Sequence, residues 1–169
     1  LMDVFGLRST EIDGLYEGES NQAIPVEGNS LNLTKTYSCE HLCDLVKTDG
    51  AEVLMTYGSD FYAGMPALTC NPYGQGEAYY VCADFEQGFY DEVYRKISSK
   101  AGVKRIVSYI PYGVEVTTRE NEKARYLIVQ NFIRNRTEVK LPTEEFQLWY
   151  GTYDGTIAGF DTVILRKEK

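Results

Sequence analysis

The stretch that most constrains this chain is Ala51–Cys82, AEVLMTYGSDFYAGMPALTCNPYGQGEAYYVC. Two apolar runs of β type, Val53–Tyr57 and Ala78–Val81, flank a segment rich in Gly, Pro, Asn and aromatic residues. A third run, Pro66–Cys70, lies between them and leads into Asn71-Pro72-Tyr73-Gly74-Gln75-Gly76, a dense turn signal. Glycine reaches positive φ without steric penalty and proline fixes its own φ, so the chain is predicted to reverse there into Glu77–Val81 as a hairpin. The same glycines do not make a phosphate loop, because the GxGxxG spacing is absent and no helix follows at once.

A length of 169 residues suits one ordinary domain or two small ones. With 43% apolar and 25% charged residues the chain reads as a soluble globular protein. No apolar run approaches the roughly 20 residues a membrane-spanning helix requires. A net charge of −8 argues against nucleic acid, which wants clustered Lys and Arg, and is what a solubility role explains. No segment with a basic start and apolar centre opens the sequence. Leu1–Gly6 instead resembles the end of a helix running into a glycine stop, so the expectation is a piece of a larger protein. Cys39, Cys43, Cys70 and Cys82 are too few and too irregular for a disulfide scaffold, and reduced thiols in a cytoplasmic protein are expected.

Along the chain, Leu7–Ile12 reads as a short strand and Glu17–Asn32 as mostly loop. In Tyr37–Val46 a period of two puts Tyr37, Cys39, His41, Cys43 and Leu45 on one face, while a helix would gather Leu42, Leu45 and Val46. Tyr, Cys and Val suit a pleated surface, which favours strand. Asp84–Lys100 is the clearest helix: Phe85, Phe89, Val93 and Ile97 recur every four residues, Asp84 is placed to cap, and Gly102 to stop. That stripe needs a sheet to cover, and the Ala51–Cys82 strands are the nearest candidates. Beyond Val103 short runs recur about every ten residues: Val114–Thr117, Ala124–Phe132, Thr137–Leu141, Phe146–Tyr150 and Thr156–Arg166. Such texture indicates an antiparallel sandwich or small barrel, with a domain boundary near Gly102.

No catalytic centre is recognisable. Cys39, His41 and Cys43 offer good zinc ligands, but the zinc pattern wants two compact pairs, and half-buried side chains beside a surface His explain them better. A Ser–His–acid triad would have to use His41, the sole histidine, and no Gly-x-Ser-x-Gly elbow accompanies it. Acidic residues such as Asp60, Asp84, Glu86, Asp91 and Asp154 are plentiful, yet capping and solvated roles account for each. A glycosidase needs two carboxyls about 5–9 Å apart across a cleft, which sequence cannot display. The pairs Phe61-Tyr62, Tyr79-Tyr80 and Trp149-Tyr150 are expected to put one ring in the core and one at the edge. Subunit contact ranks next, then sugar stacking. Asn32-Leu33-Thr34 and Asn135-Arg136-Thr137 fit the glycosylation pattern, which arises often by chance.

Several of these pieces carry a resemblance. Gly50-Ala51-Glu52-Val53-Leu54, Tyr57, Asp60-Phe61-Tyr62-Ala63-Gly64-Met65-Pro66-Ala67, Thr69, Asn71, Tyr73-Gly74-Gln75-Gly76 and Ala78-Tyr79-Tyr80-Val81 follow one another. Gly113-Val114-Glu115-Val116 and Tyr126–Asn131 come later. This order resembles the non-catalytic C-terminal part of a glycoside hydrolase family 42 β-galactosidase, specifically so over residues 50–82 and more weakly past 140. The resemblance implies a (β/α)₈ barrel with two catalytic glutamates, then a glutamine-amidotransferase-like trimerisation domain, then a small β domain. On that alignment this chain begins late in the second domain and finishes the third.

The expected fold is therefore α+β or α/β over 1–102, the C-terminal portion of the trimerisation-like domain, followed by an antiparallel β-sandwich-like domain over 103–169. The expected function is the structural and oligomerisation part of such an enzyme, whose complete form would remove terminal β-galactose by retaining hydrolysis. Its partners would be the rest of the parent enzyme and, by family, two further copies in a trimer. No catalytic, cofactor or metal residue is assigned. Phe61, Tyr62, Trp149, Tyr150 and Tyr153 are the candidate interface or sugar contacts, the last three as the platform of an alternative carbohydrate-binding module.

Overall fold

The chain opens on one helical turn, α1 (Met2–Phe5), which Gly6 ends in the left-handed conformation with its N–H on Met2 O. Residues with a Cβ resist that conformation, and a Cβ here would also stand 2.6 Å from Asn71 Oδ1. Asn71 needs that approach, because its Nδ2 donates to the helix carbonyl of Val4 at 2.8 Å. The glycine stop expected at the start of the sequence is thus present. The computed structural model describes all residues, Leu1–Lys169, and these divide into two units, Leu1–Val103 and Lys104–Lys169.

In the first unit seven strands follow α1: β1 (Leu7–Gly14), β2 (Asn21–Pro25), β3 (Tyr37–Thr48), β4 (Glu52–Tyr57), β5 (Pro66–Tyr73), β6 (Gly76–Val81) and β7 (Ala83–Phe85). All pair antiparallel, in the order β1-β3-β2-β4-β5-β6, with β7 returning to β3. Only Cys82 separates β6 from β7. Its N–H donates to Ala67 O on β5 at 3.0 Å, and its carbonyl accepts from Asp44 N on β3 at 2.6 Å. That bend closes the sheet into a small barrel with β1 as an outer edge strand. Tyr57 crosses the interior, its hydroxyl 2.8 Å from Cys82 O and 3.2 Å from Asp44 O. Around it lie fully buried Cys39, Val46, Leu54 and Leu68.

The predicted hairpin is present, with Asn71 facing Ala78 and Tyr73 facing Gly76. Tyr37–Val46 is strand, as favoured, but its period breaks at His41, which takes φ 62°. The register to β7 shifts between Glu40 and Cys43, so Cys39 and Cys43 stay buried while His41 is turned out to solvent. The loop expected over Glu17–Asn32 is interrupted by β2, where Asn21 and Ala23 are buried and Gln22 and Ile24 are exposed. Five residues carry too little apolar signal to announce a strand; its partners β3 and β4 supply the pairing.

The helix α2 (Gln87–Lys100) starts three residues later than expected, because Ala83–Phe85 pair with β3 instead. Asp84 therefore does not cap it, and Glu86 holds the N-cap position without a side-chain bond. The stripe itself is real. Phe89 and Val93 are buried, and Phe89 stacks on Phe85 at 4.0 Å and meets the edge of Tyr37 at 5.7 Å.

The second unit holds β8 (Val114–Glu120), β9 (Ala124–Asn131), β10 (Thr137–Glu138), β11 (Gln147–Tyr150), β12 (Thr156–Ile157) and β13 (Thr162–Glu168). A four-stranded antiparallel sheet, β11-β13-β9-β8, accompanies the two-stranded pair β10-β12. Leu127, Val129, Val163 and Leu165 from the larger sheet share one buried cluster with Ile157 from the smaller and with Val139 and Phe146. Two strands are shorter than expected. Thr137–Leu141 pairs over two residues only, and Thr156–Arg166 is split around Ala158–Asp161. The split has a steric cause: a Cβ at Gly159 would lie 1.9 Å from Arg134 O, so two backbones touch there. Asn131 staples the same region, donating to Asn135 O at 2.8 Å and Ala158 O at 3.1 Å while accepting from Ile133 N at 3.1 Å. The architecture is mostly antiparallel β with few helices, and the α/β character expected of the first 102 residues reduces to α2 on a closed sheet.

Candidate functional site

Phe61 and Tyr62 sit in the loop between β4 and β5. Tyr62 is fully buried, its ring edge-on to Tyr57 at 5.0 Å and to Phe61 at 4.9 Å. Its hydroxyl finds no hydrogen-bond partner, and burial first of all raises its pKa. Phe61 lies outside at 73% exposure. The division into a core ring and an edge ring therefore describes this pair.

It does not describe Trp149 and Tyr150, which are 59% and 58% exposed. The cause is a β-bulge. Gln147 faces Arg166, Leu148 faces Leu165, and the next paired residue is Tyr150 against Ile164, so Trp149 is extra. A bulge re-aims the side chain it carries, and Tyr126 meets the indole at 5.5 Å and 68°. Tyr153 is only partly exposed. Its hydroxyl donates to Val139 O at 2.6 Å and accepts from Leu141 N at 3.1 Å, tying down backbone.

Beside the bulge runs an open groove of about 440 Å³ with Gln147, Leu148 and Trp149 along one side. Arg166, paired to Glu168 at 3.1 Å, shares the face of Gln147, while Lys167, paired to Glu145 at 2.8 Å, lies on the alternate face over the Phe146 ring. Lys167 hydrogen-bonds Glu145 and holds its carboxyl below the ordinary range. The sequence pointed to Trp149 but not to Gln147 or Arg166, since a bulge leaves no residue-type signature.

The sole histidine is exposed, with Nδ1 3.0 Å from Asp84 Oδ2. Ser38 lines the same shallow depression of about 160 Å³, but the hydrogen bonds of its strand segment run from its backbone N–H to Glu86 Oε1, not from its hydroxyl to His41. The base–orienter contact exists without a nucleophile joined to it. Cys39, His41 and Cys43 do not converge either, because the register shift and left-handed φ at His41 send the imidazole out and leave the thiols inside. All four cysteines are free and buried. The thiol of Cys39 is pushed up by the neighbouring Cys43 thiol and by burial, and burial raises Cys82 and Cys70.

The likeness to known proteins agrees with this geometry. Residues 1–104 match the model of the β-galactosidase trimerisation domain, and residues 113–167 match that of the β-galactosidase C-terminal domain. A β-galactosidase of Alicyclobacillus acidocaldarius is 36% identical over 152 residues, 89% of this chain and 22% of the relative. One of Clostridium perfringens is 39% identical over 133 residues, 78% of this chain and 19% of the relative. The crystal structure of the cold-adapted β-galactosidase of Rahnella sp. R3 superposes with a TM-score of 0.81 at 33% identity, covering 99% of this chain and 25% of that one. That of Bacillus circulans sp. alkalophilus gives 0.82 at 31% identity, covering 98% and 25%. The chain thus spans about a fifth to a quarter of the length of the relatives it matches. In sequence and in fold it belongs to the glycoside hydrolase family 42 β-galactosidases, whose trimerisation and C-terminal domains it carries.

Proposed function

We propose that this chain is the structural and oligomerisation portion of a β-galactosidase whose hydrolytic centre is formed by other polypeptide. The observation that carries the reading is the order of the two matches, trimerisation domain over 1–104 and C-terminal domain over 113–167, which together fill the chain. On this reading the domains are 1–102 and 103–169, with the first as the C-terminal portion of a glutamine-amidotransferase-like fold. The whole enzyme would remove terminal β-galactose from small glycosides by retaining hydrolysis. Four unpaired buried thiols suit a reducing compartment, which favours the cytoplasm.

As a trimerising unit the chain must offer apolar surface to its copies, and aromatic residues are enriched in the cores of such contacts. Phe61 is the strongest anchor: it is exposed, and its edge contact with buried Tyr62 fixes the ring before any partner arrives. Sedimentation equilibrium tests this directly. Expected is a species of three 19.2 kDa protomers, which Phe61→Asp shifts towards the protomer mass without loss of β-sheet circular dichroism. A protomer mass at every concentration contradicts the trimer.

A further inference from the structure

We propose that the groove beside Trp149 is a binding site for a neutral sugar. Three features of the groove point to this chemistry. The first is the indole. The bulge between Leu148 and Tyr150 lifts Trp149 out of the strand's pairing, and Tyr126 braces it edge-on at 5.5 Å. A large, amphipathic ring left exposed but held in place is a ready platform, since little side-chain entropy is lost when a ligand stacks on it.

The second is the surrounding set of polar groups. Gln147 offers both an amide donor and an acceptor, Arg166 donates and Glu168 accepts. A pyranose presents hydroxyls that each donate and accept, above a face of C–H groups that stacks on an aromatic ring. The groove supplies the complement of both. The third is charge. Arg166 and Glu168, on the face of Trp149, are matched to each other at 3.1 Å. The balance disfavours phosphate or sulfate, which need an excess of donors and positive charge. It also disfavours a protein partner, because charged residues are depleted from the cores of protein interfaces.

Trp149 is the only tryptophan in the chain, so its emission reports on the groove alone. The whole chain is titrated with lactose and with methyl β-galactoside, and in parallel with inorganic phosphate. Expected is a saturable change in emission with either sugar, half-complete in the millimolar range, and none with phosphate. Gln147→Ala keeps the reporter and an exposed strand position, and should weaken half-saturation about tenfold. Trp149→Ala, followed by calorimetry after its sheet signal is checked, should abolish the heat of sugar binding. Flat emission with both sugars overturns the proposal, as does a sugar response unchanged in Gln147→Ala. An equal response to phosphate overturns the neutral-ligand assignment. Emission that follows protein concentration rather than sugar makes the groove a protein contact and likewise overturns it. The sugar and phosphate outcomes do not bear on the trimer mass, so the two readings stand or fall separately.

Discussion

Glu92, on the second turn of α2, accepts a hydrogen bond from the Tyr37 hydroxyl on β3. Both side chains are largely out of solvent, so the bond is not screened as a surface pair would be. Tyr37 lowers the Glu92 carboxyl below its ordinary value, with a smaller contribution from Lys96. Burial, then the same bond, pushes Tyr37 up to about 12. The signs follow from linkage. Glu92, depressed in the fold, stabilises above its unfolded value of 4.5 and loses that contribution as pH falls through its lower folded value. Tyr37, raised in the fold, stabilises below 10 and loses its contribution as pH rises through about 12. Tyr37→Phe should therefore cost about 2 kcal/mol across neutral pH, and the deficit should shrink towards either limit. Urea unfolding at several pH values checks it; a deficit independent of pH rejects the role.

Asn131 poses a second test at this scale. It is buried and serves three carbonyls and one N–H in the loops beyond β9. Removing it strands those groups, so Asn131→Ala should cost about 2–3 kcal/mol by chemical denaturation, whereas loss of under about 0.5 kcal/mol would place it among ordinary surface changes. Single residues were the least legible part of the chain. Nothing in Tyr37–Val46 says that His41 takes a left-handed conformation, yet that one φ dismantles the zinc arrangement the spacing invited.

At the scale of elements, periodicity carried most of what could be read. The Pro66–Tyr73 and Gly76–Val81 hairpin was legible because its turn residues and its two apolar runs agree. The stripe of α2 was legible too, although Phe85 belongs to it in space from a strand rather than from the helix. Strand β2 and the halving of Thr156–Arg166 were not, since pairing partners and a backbone contact at Gly159 decide them, and both are remote in sequence. Phe89 measures how much α2 contributes. It is fully buried between Phe85, Tyr37 and Tyr90, so Phe89→Ala should cost about 3–5 kcal/mol. A thermal midpoint left within a degree or two of the parent would mean that the helix is not integral to the first unit.

At the scale of the whole molecule, several acids sit in ion pairs. Glu77 meets Lys100, Glu120 meets Arg125 and Lys169, Glu145 meets Lys167, and Asp154 meets Arg136. In each the carboxyl pKa is lowered, by hydrogen bonds from Lys100, Lys169, Lys167 and Thr156 respectively. That is the opposite of the raised value an acid catalyst needs at neutral pH. The family resemblance was legible because residues 50–82 keep their motif order; the closed barrel was not, because closure rests on one bend at Cys82. The most direct measurement is hydrolysis of a chromogenic β-galactoside by the purified 169-residue chain across the acid-to-neutral range. No turnover above the buffer rate is expected, whereas robust turnover that vanishes when one acidic residue of this chain is replaced by its amide would contradict the structural reading.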